Sequence, residues 1–296
     1  MPSFRSAKSQ AEHAVAQKIS LGKSRHESRG DGRIHSVGTA RGYTQALKGF
    51  VEHLQNNRLG DLRHARIEDA QRYLAERAEQ VGQKTLDMDR QSIQTHFGIR
   101  LEVVKSCKET RLGTRSYTVT QVSRISSAQS ERNGLATLIA HCTGLRAHEL
   151  LTLASAQERH ASGHRQWSAE RFAGRNGERY TVEGKGGLVR EVLLSKELAD
   201  RLESRRLEMP CRVQDRGVFY RQRYDIGGGR AWSQSFSSAS KRELGFSNGA
   251  HGLRHSYAQE RMKELMLQGK SYDQAKQTVA QEVGHFDKET TEAYLR

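Results

Sequence analysis

Six side chains between residues 146 and 294 have the chemistry to bind and attack a phosphate group: Arg146, Lys185, His251, Arg254, His285 and Tyr294. Tyr294 offers a phenol, a poor nucleophile at its free pKa of about 10 unless a neighbouring cation or base assists it. His285 follows Gly284 and precedes Tyr294 by nine residues. In HCTGLRAHELLTL, Arg146 comes just after Gly144, at the expected start of a short helix. Free N–H groups and the helix dipole gather phosphate at such a point, and a guanidinium adds a bidentate contact. An ion pair with Glu149, three residues on, is the simpler account of Arg146 taken alone. HGLRHSYAQ sets His251 and Arg254 three apart, on one helix face, which suits a phosphate oxygen and equally an exposed surface pair. Lys185, the only lysine between Arg146 and Lys196, sits among glycines at the tip of an expected hairpin. A lysine there usually serves solubility, but it can also reach into a groove and donate a proton.

Metal chemistry is disfavoured. His251 and His255 are four apart, as are His160 and His164, but neither pair carries the glutamate of an HExxH helix or a third ligand. There is no GxxxxGK[ST] phosphate loop and no GxSxG elbow. Cys107, Cys142 and Cys211 are odd in number and widely spaced, so neither a disulfide framework nor a cysteine zinc site is expected. No cofactor is implied.

The elements that must carry these residues change texture along the chain. Residues 21–42, rich in Gly, Arg and Ser, predict a mobile basic arm, which is assigned to residues 1–36. Tyr43, Leu47, Phe50, Val51 and Leu54 then form one helical stripe. A second stripe runs through Ala70, Tyr73, Leu74 and Val81, and a third through Ile93, Phe97, Leu101 and Val104. With no strand-like alternation before about residue 115, residues 37–106 read as a helical domain and the polar stretch 107–120 as a linker. Beyond it, a capping box at Ser126 and Gln129 predicts a helix burying Leu135, Leu138, Ile139 and Cys142 and ending at Gly144. Strand character fills residues 165–194, broken by the Gly184–Gly187 turn. Helices are expected over 195–208 and 250–267, and from a capping box at Ser271 and Gln274 to about residue 283.

Charge points to a polyanion. The 296 residues carry 49 Lys and Arg against 34 Asp and Glu, a net +15 with a pI near 10.0. Residues 1–115 hold 21 basic and 13 acidic side chains, and the remainder holds 28 and 21, so the excess is not confined to a tail. A chain basic in both halves suits a clamp on nucleic acid, although a merely soluble basic protein is compatible with the same totals. No run approaches the ~18 apolar residues of a membrane span, and a cytoplasmic, reduced protein is expected.

Together, TGLRAHEL at 143–150, the Gly-Lys-Gly turn at 184–186, HGLRH at 251–255 and VGHFDKETTEAYL at 283–295 resemble the tyrosine recombinase (phage integrase) family. Each block is weak singly, but all four follow the family's order of Arg, Lys, His-x-x-Arg, His and Tyr. The resemblance implies a mainly α fold with a small β-sheet: an all-helical N-terminal DNA-clamping domain and an α+β catalytic domain over residues 121–296. It implies that Tyr294 attacks a scissile phosphate in double-stranded DNA, leaving a covalent 3′-phosphotyrosine and a free 5′-hydroxyl. Arg146 and Arg254 would hold the non-bridging oxygens, with His285 donating a further hydrogen bond. Lys185 would protonate the leaving oxygen, and His251 would assist proton transfer at the tyrosine. Phosphoryl transfer needs equatorial charge neutralised, and two guanidiniums can do this without Mg²⁺.

Glu149 reads as orienting Arg146, and His255 as support beside Arg254. The family also implies a tetramer on DNA, in the cytoplasm at the nucleoid. Two residues follow Tyr294, where family members continue with a segment that docks on a neighbouring subunit. The docking element is thus left open, and the N-terminal arm is one candidate for it or for a minor-groove contact. A tyrosine-type topoisomerase would use the same side chains. A DNA-binding regulator with a decayed site would be expected to have lost at least one of them.

Overall fold

The structure, a computed structural model, describes residues 5–20, 32–109 and 113–295, apart from the side chains of Lys185 and Lys288. The chain divides into two units, Met1–Leu112 and Gly113–Arg296, each with its own core.

In the first unit, α1 (Ala7–Ala16), α2 (Val37–Asn56), α3 (Ile67–Gln80) and α4 (Gln83–Phe97) enclose Phe50, Leu54, Leu74, Leu86 and Ile93. Ser6 and Ser36 cap α1 and α2 through their hydroxyls, which accept the N–H of Ser9 and Thr39 at 3.2 Å each. The expectation of an arm through residue 36 needs correction. Helix α1 presents Ala7, Ala11 and Val15 to the core, and Gln10 Oε1 accepts the Leu62 N–H at 3.0 Å. Its buried stripe is built of small residues, so little hydrophobic contrast marks it in the sequence. Residues 21–31 lie outside the described part. The third expected stripe also divides. Gly98 closes α4 in the left-handed conformation, φ +72°, and Leu101 and Val104 reach the same core from the irregular segment that follows.

In the second unit, α5 (Val119–Ser127) and α6 (Glu131–Thr143) are followed by β1 (Ala154–Ser155), β2 (Glu178–Glu183), β3 (Val189–Leu194), α7 (Lys196–Glu203), β4 (Arg206–Asp215) and β5 (Val218–Tyr224). Helices α8 (Gly229–Leu244), α9 (Gly252–Leu267), α10 (Tyr272–Glu282) and α11 (Lys288–Glu292) complete it. Strands β1, β2 and β3 form an antiparallel sheet in that order, and β4 pairs with β5 alone. The capping box that opens this unit is Thr118 with Gln121 on α5, and Ser130 is the N-cap of α6; the pairing expected at Ser126 and Gln129 does not occur. Strand β4 replaces the end of the helix expected over 195–208. It is exposed along most of its length on both faces, so no polar–apolar alternation marks it.

The main core of this unit gathers Ile125, Ile139, Val182, Leu194, Trp232, Phe236 and Leu253. A smaller cluster between α9 and α10 holds Ala258, Met262, Leu265, Ala275, Val279 and Tyr294. These two helices are also joined by a buried polar knot. Glu282 accepts Tyr257 Oη at 2.7 Å, the Phe172 N–H at 2.8 Å and Arg261 Nε at 3.1 Å. Removing one partner of a buried pair leaves the other charge unpaired. Glu282→Gln should therefore lower unfolding free energy by about 3 kcal/mol, the low end of the usual range, because Glu264 still shares the Arg261 guanidinium. A urea midpoint equal to that of the unaltered protein would show the knot to be dispensable.

Candidate functional site

The site is built around one carboxylate. Helix α6 ends at Gly144 in the left-handed region, φ +64°, where a Cβ would come within 2.8 Å of the Tyr257 ring. The chain then turns so that Arg146 donates its N–H to Glu149 Oε2 at 2.7 Å and Nη1 to Oε1 at 2.8 Å. Glu149 opens a 3₁₀ turn, Glu149–Thr152, and its side chain is wholly buried. The expected helix start at Arg146 is thus a turn whose N–H is already taken. The ion pair with Glu149 forms, and it does not exhaust the arginine. Arg190 on β3 donates Nη2 to Glu149 Oε2 at 2.8 Å, and Arg254 Nη1 lies 4.0 Å from that oxygen.

Three guanidiniums therefore surround one carboxylate in a buried setting. Burial alone would raise the Glu149 pKa, but Arg190, Arg254 and Arg146 outweigh it and hold the carboxyl at about 2. Burial and then Arg146 pull Arg254 down to about 9, against the pull of Glu149. The Arg190 pKa is lowered too, chiefly by burial. The cluster is short of negative charge.

Helix α9 brings in the HGLRH residues. Arg254 is fully buried, which rules out the surface-pair reading. Its Nη1 donates to Gly144 O at 2.7 Å and its Nη2 to Val283 O, tying α9 to the ends of α6 and α10. Beyond Val283, Gly284 at φ +78° reverses the chain and His285 donates its N–H to Ala280 O at 2.7 Å. His285 Nε2 lies 2.9 Å from Arg146 Nη2 and 3.4 Å from Arg254 Nη2. Guanidiniums only donate, so Nε2 must accept and the ring proton is assigned to Nδ1. Burial, then Arg254, Arg146 and Arg190, push His285 down to about 3. His251, at the N-cap of α9, is pushed down to about 4, again by burial first and Arg254 second.

Tyr294 closes the arrangement. Its ring centroid lies 5.0 Å from that of His255, 5.5 Å from His251 and 5.6 Å from His285, with Arg254 Cζ 5.2 Å from its centre. Gln259 Nε2 donates to its carbonyl at 3.1 Å. Helix α11 is itself anchored, since Lys276 Nζ bridges Glu289 at 3.1 Å and Glu292 at 3.2 Å.

Five of the six residues singled out in the sequence are thus in one cluster. The sixth, Lys185, belongs to a turn whose backbone adjoins it. A Cβ on Gly184 would stand 3.2 Å from Glu149 Oε1 and 4.0 Å from Arg146 Nη1, whereas the Lys185 side chain lies outside the described part. Sequence reasoning missed Arg190. Its signal was an arginine in register with Val192 and Leu194 on the inward face of β3, where a charge has no business without a partner. Among the described residues, no group of three or more His, Cys, Asp or Glu is placed to hold a metal ion. Nor is any helix there long and apolar enough to cross a membrane. Such a cluster can bind a phosphate through guanidiniums and bring a phenol beside it.

No family model and no curated protein matches the sequence. Solved structures do. The chain is similar to the XerH site-specific recombinase bound to its palindromic difH substrate in a post-cleavage complex, with a TM-score of 0.57 and 16% identity over 98% of this chain and 90% of that one. It is similar to lambda integrase bound to DNA, with a TM-score of 0.54 and 16% identity over 95% and 92% of the two chains. The lambda integrase tetramer bound to a Holliday junction gives 0.57 and 15% identity over 96% and 77%. With helices predominating around two small sheets, the chain has the fold of the tyrosine recombinases.

Proposed function

We propose that the protein is a site-specific DNA recombinase that cleaves and rejoins strands through a covalent 3′-phosphotyrosine, as an integrase of a mobile element would. The observation that carries this reading is the packing of Tyr294 against Arg254 and three histidine rings, beside an arginine cluster short of negative charge. A DNA phosphate is the anion that would balance that cluster.

In this reading the Tyr294 Oη attacks the scissile phosphorus in line, and the P–O5′ bond breaks as the P–Oη bond forms. Arg146 and Arg254 take the non-bridging oxygens and neutralise the charge that builds on them. His251 receives the phenol proton on its neutral ring; burial and Arg254 hold that ring's basicity down, and the negative charge of a bound phosphate would offset them. Lys185 gives a proton to the departing 5′ oxygen. His285 supplies a hydrogen bond to the phosphate, which needs the ring proton to move from Nδ1 to Nε2 as that nitrogen exchanges arginine for phosphate as partner. The phosphotyrosine conserves the bond energy, so a second 5′-hydroxyl reverses the step without ATP. The helical unit adds contacts to the DNA backbone, and the working assembly is a tetramer on paired sites.

The reading is tested with nicked duplexes enriched from a random-sequence pool by binding to the protein, incubated without divalent metal. A covalent protein–DNA adduct is expected, and Tyr294→Phe should abolish it while binding DNA normally. An adduct that persists in Tyr294→Phe sinks the assignment of the nucleophile. Binding without any adduct indicates a regulator, and sequence-independent relaxation of supercoiled plasmid indicates a topoisomerase.

Acid should destabilise the fold through the same rings. His251 and His285 titrate at about 4 and about 3 in the folded protein, against about 6.5 in the unfolded chain. Below about 6.5 the unfolded state binds more protons, so stability falls as pH drops towards 4 and is level above about 7. Urea midpoints at pH 5 and pH 7.5 check this, and His285→Asn should shrink the difference between them. An equal drop in that variant would remove His285 from the account.

A further inference from the structure

Arg190 has no role in the mechanism above, yet it adjoins three of the parts that mechanism uses: the Arg146–Glu149 turn, the Gly284–His285 turn and the hairpin that carries Lys185. Its side chain is 1% exposed. Its Nη2 donates to Glu149 Oε2 at 2.8 Å, the same oxygen that takes the Arg146 N–H at 2.7 Å. Its Cδ and Nε lie against the turn before His285, since a Cβ on Gly284 would meet both at 2.9 Å. Its backbone is paired with Val182 at the base of the hairpin whose turn carries Lys185.

Among the described residues, Nε and Nη1 of Arg190 have no hydrogen-bond partner. A buried guanidinium with an incomplete set of partners weakens a fold relative to an aliphatic side chain of similar volume. Neighbouring inward positions of β3 hold Val192 and Leu194, so an aliphatic residue would suit this one as well. What the charge adds to the fold is its pairing with buried Glu149, which Arg146 pairs as well, so its distinctive contribution is its position.

We propose that Arg190 is a positioning residue for strand cleavage. It fixes the Glu149 carboxylate and through it Arg146, and it sets the Gly284–His285 turn against the base of the Lys185 hairpin. This rests on the phosphotyrosine reading, and it assigns to one side chain the register between the parts that reading uses.

The test compares unaltered protein with Arg190→Met, Arg190→Lys and Gly284→Ala, using the nicked duplexes enriched by binding. DNA affinity, the rate of adduct formation and the thermal midpoint are measured for each. Affinity should stay within about threefold while the adduct rate falls on the order of 100-fold in Arg190→Met, the mark of an interaction felt only in the transition state. Arg190→Lys should recover part of that loss, to about 10-fold below the unaltered protein, since one ammonium can hold Glu149 without the guanidinium's fork. Gly284→Ala should lose adduct rate with the charge untouched. In a Glu149→Gln background, Arg190→Met should cost less than about threefold more, because residues acting as a unit are not additive.

An unchanged rate in Arg190→Met overturns the proposal, as does a fall matched by lost affinity or lost folded protein. So does a second loss of about 100-fold in the Glu149→Gln background, which would mean that Arg190 acts independently of Glu149. Should Arg190→Met fail to fold, Arg190→Lys and Gly284→Ala decide by the same criteria. If the unaltered protein forms no adduct, the phosphotyrosine reading fails, and the inference is judged on inorganic phosphate followed through the His285 ring resonances. Binding about tenfold weaker in Arg190→Met upholds Arg190 as the organiser of the pocket. Equal binding, or none by the unaltered protein, overturns it.

Discussion

A single carboxylate, that of Glu149, holds the site of this protein in place. In water three guanidiniums would drift apart, since each is better solvated alone. In a buried setting their repulsion is stronger, and only a shared counter-charge keeps them close. Glu149 meets Arg146 and Arg190 at 2.8 Å and stands 4.0 Å from Arg254. Its position is in turn fixed by the left-handed stop at Gly144 and the 3₁₀ turn that follows. The geometry of the arginines is therefore a property of the α6 terminus as much as of the arginines.

The same logic orders the rest of the second unit. Arg254 commits one donor of each Nη to the carbonyls of Gly144 and Val283, leaving its Nε without a partner among the described residues, so the end of α6, the start of α9 and the end of α10 are stitched at one point. Glu282, one residue before Val283, gathers Tyr257, Phe172 and Arg261. The apolar contacts of α9 with α10 lie farther along, around Met262, Leu265 and Val279. Polar stitching near the site and apolar packing beyond it give α9 a rigid base for His251, Arg254 and His255.

Much of this was legible before any coordinates. Regular stripes marked α2 and α3, the Ser271–Gln274 box marked α10, and the glycines at 184–187 marked the hairpin turn. What escaped had physical reasons. Helix α1 buries alanines, whose contrast with polar neighbours is slight. Strand β4 is exposed on both faces and carries no alternation. Among site residues, those in Gly- and His-rich blocks stood out, whereas Arg190 sat within a run of strand formers and was read with them. The burial of Arg254 could not be read from spacing, because whether a helix face meets solvent or a carboxylate depends on elements over a hundred residues away.

Tyr294 belongs to two categories usually kept apart. It packs with Met262, Leu265 and Val279 in the cluster between α9 and α10, and its ring also faces the histidines and Arg254. A substitution survey scored on folding alone would group it with those aliphatic neighbours, as one more side chain whose trimming loosens a helix pair. Its phenol oxygen would go unnoticed, because replacing it with phenylalanine leaves the packing intact. Under the proposed reading, being part of the framework and being reactive would not be competing explanations for this buried side chain.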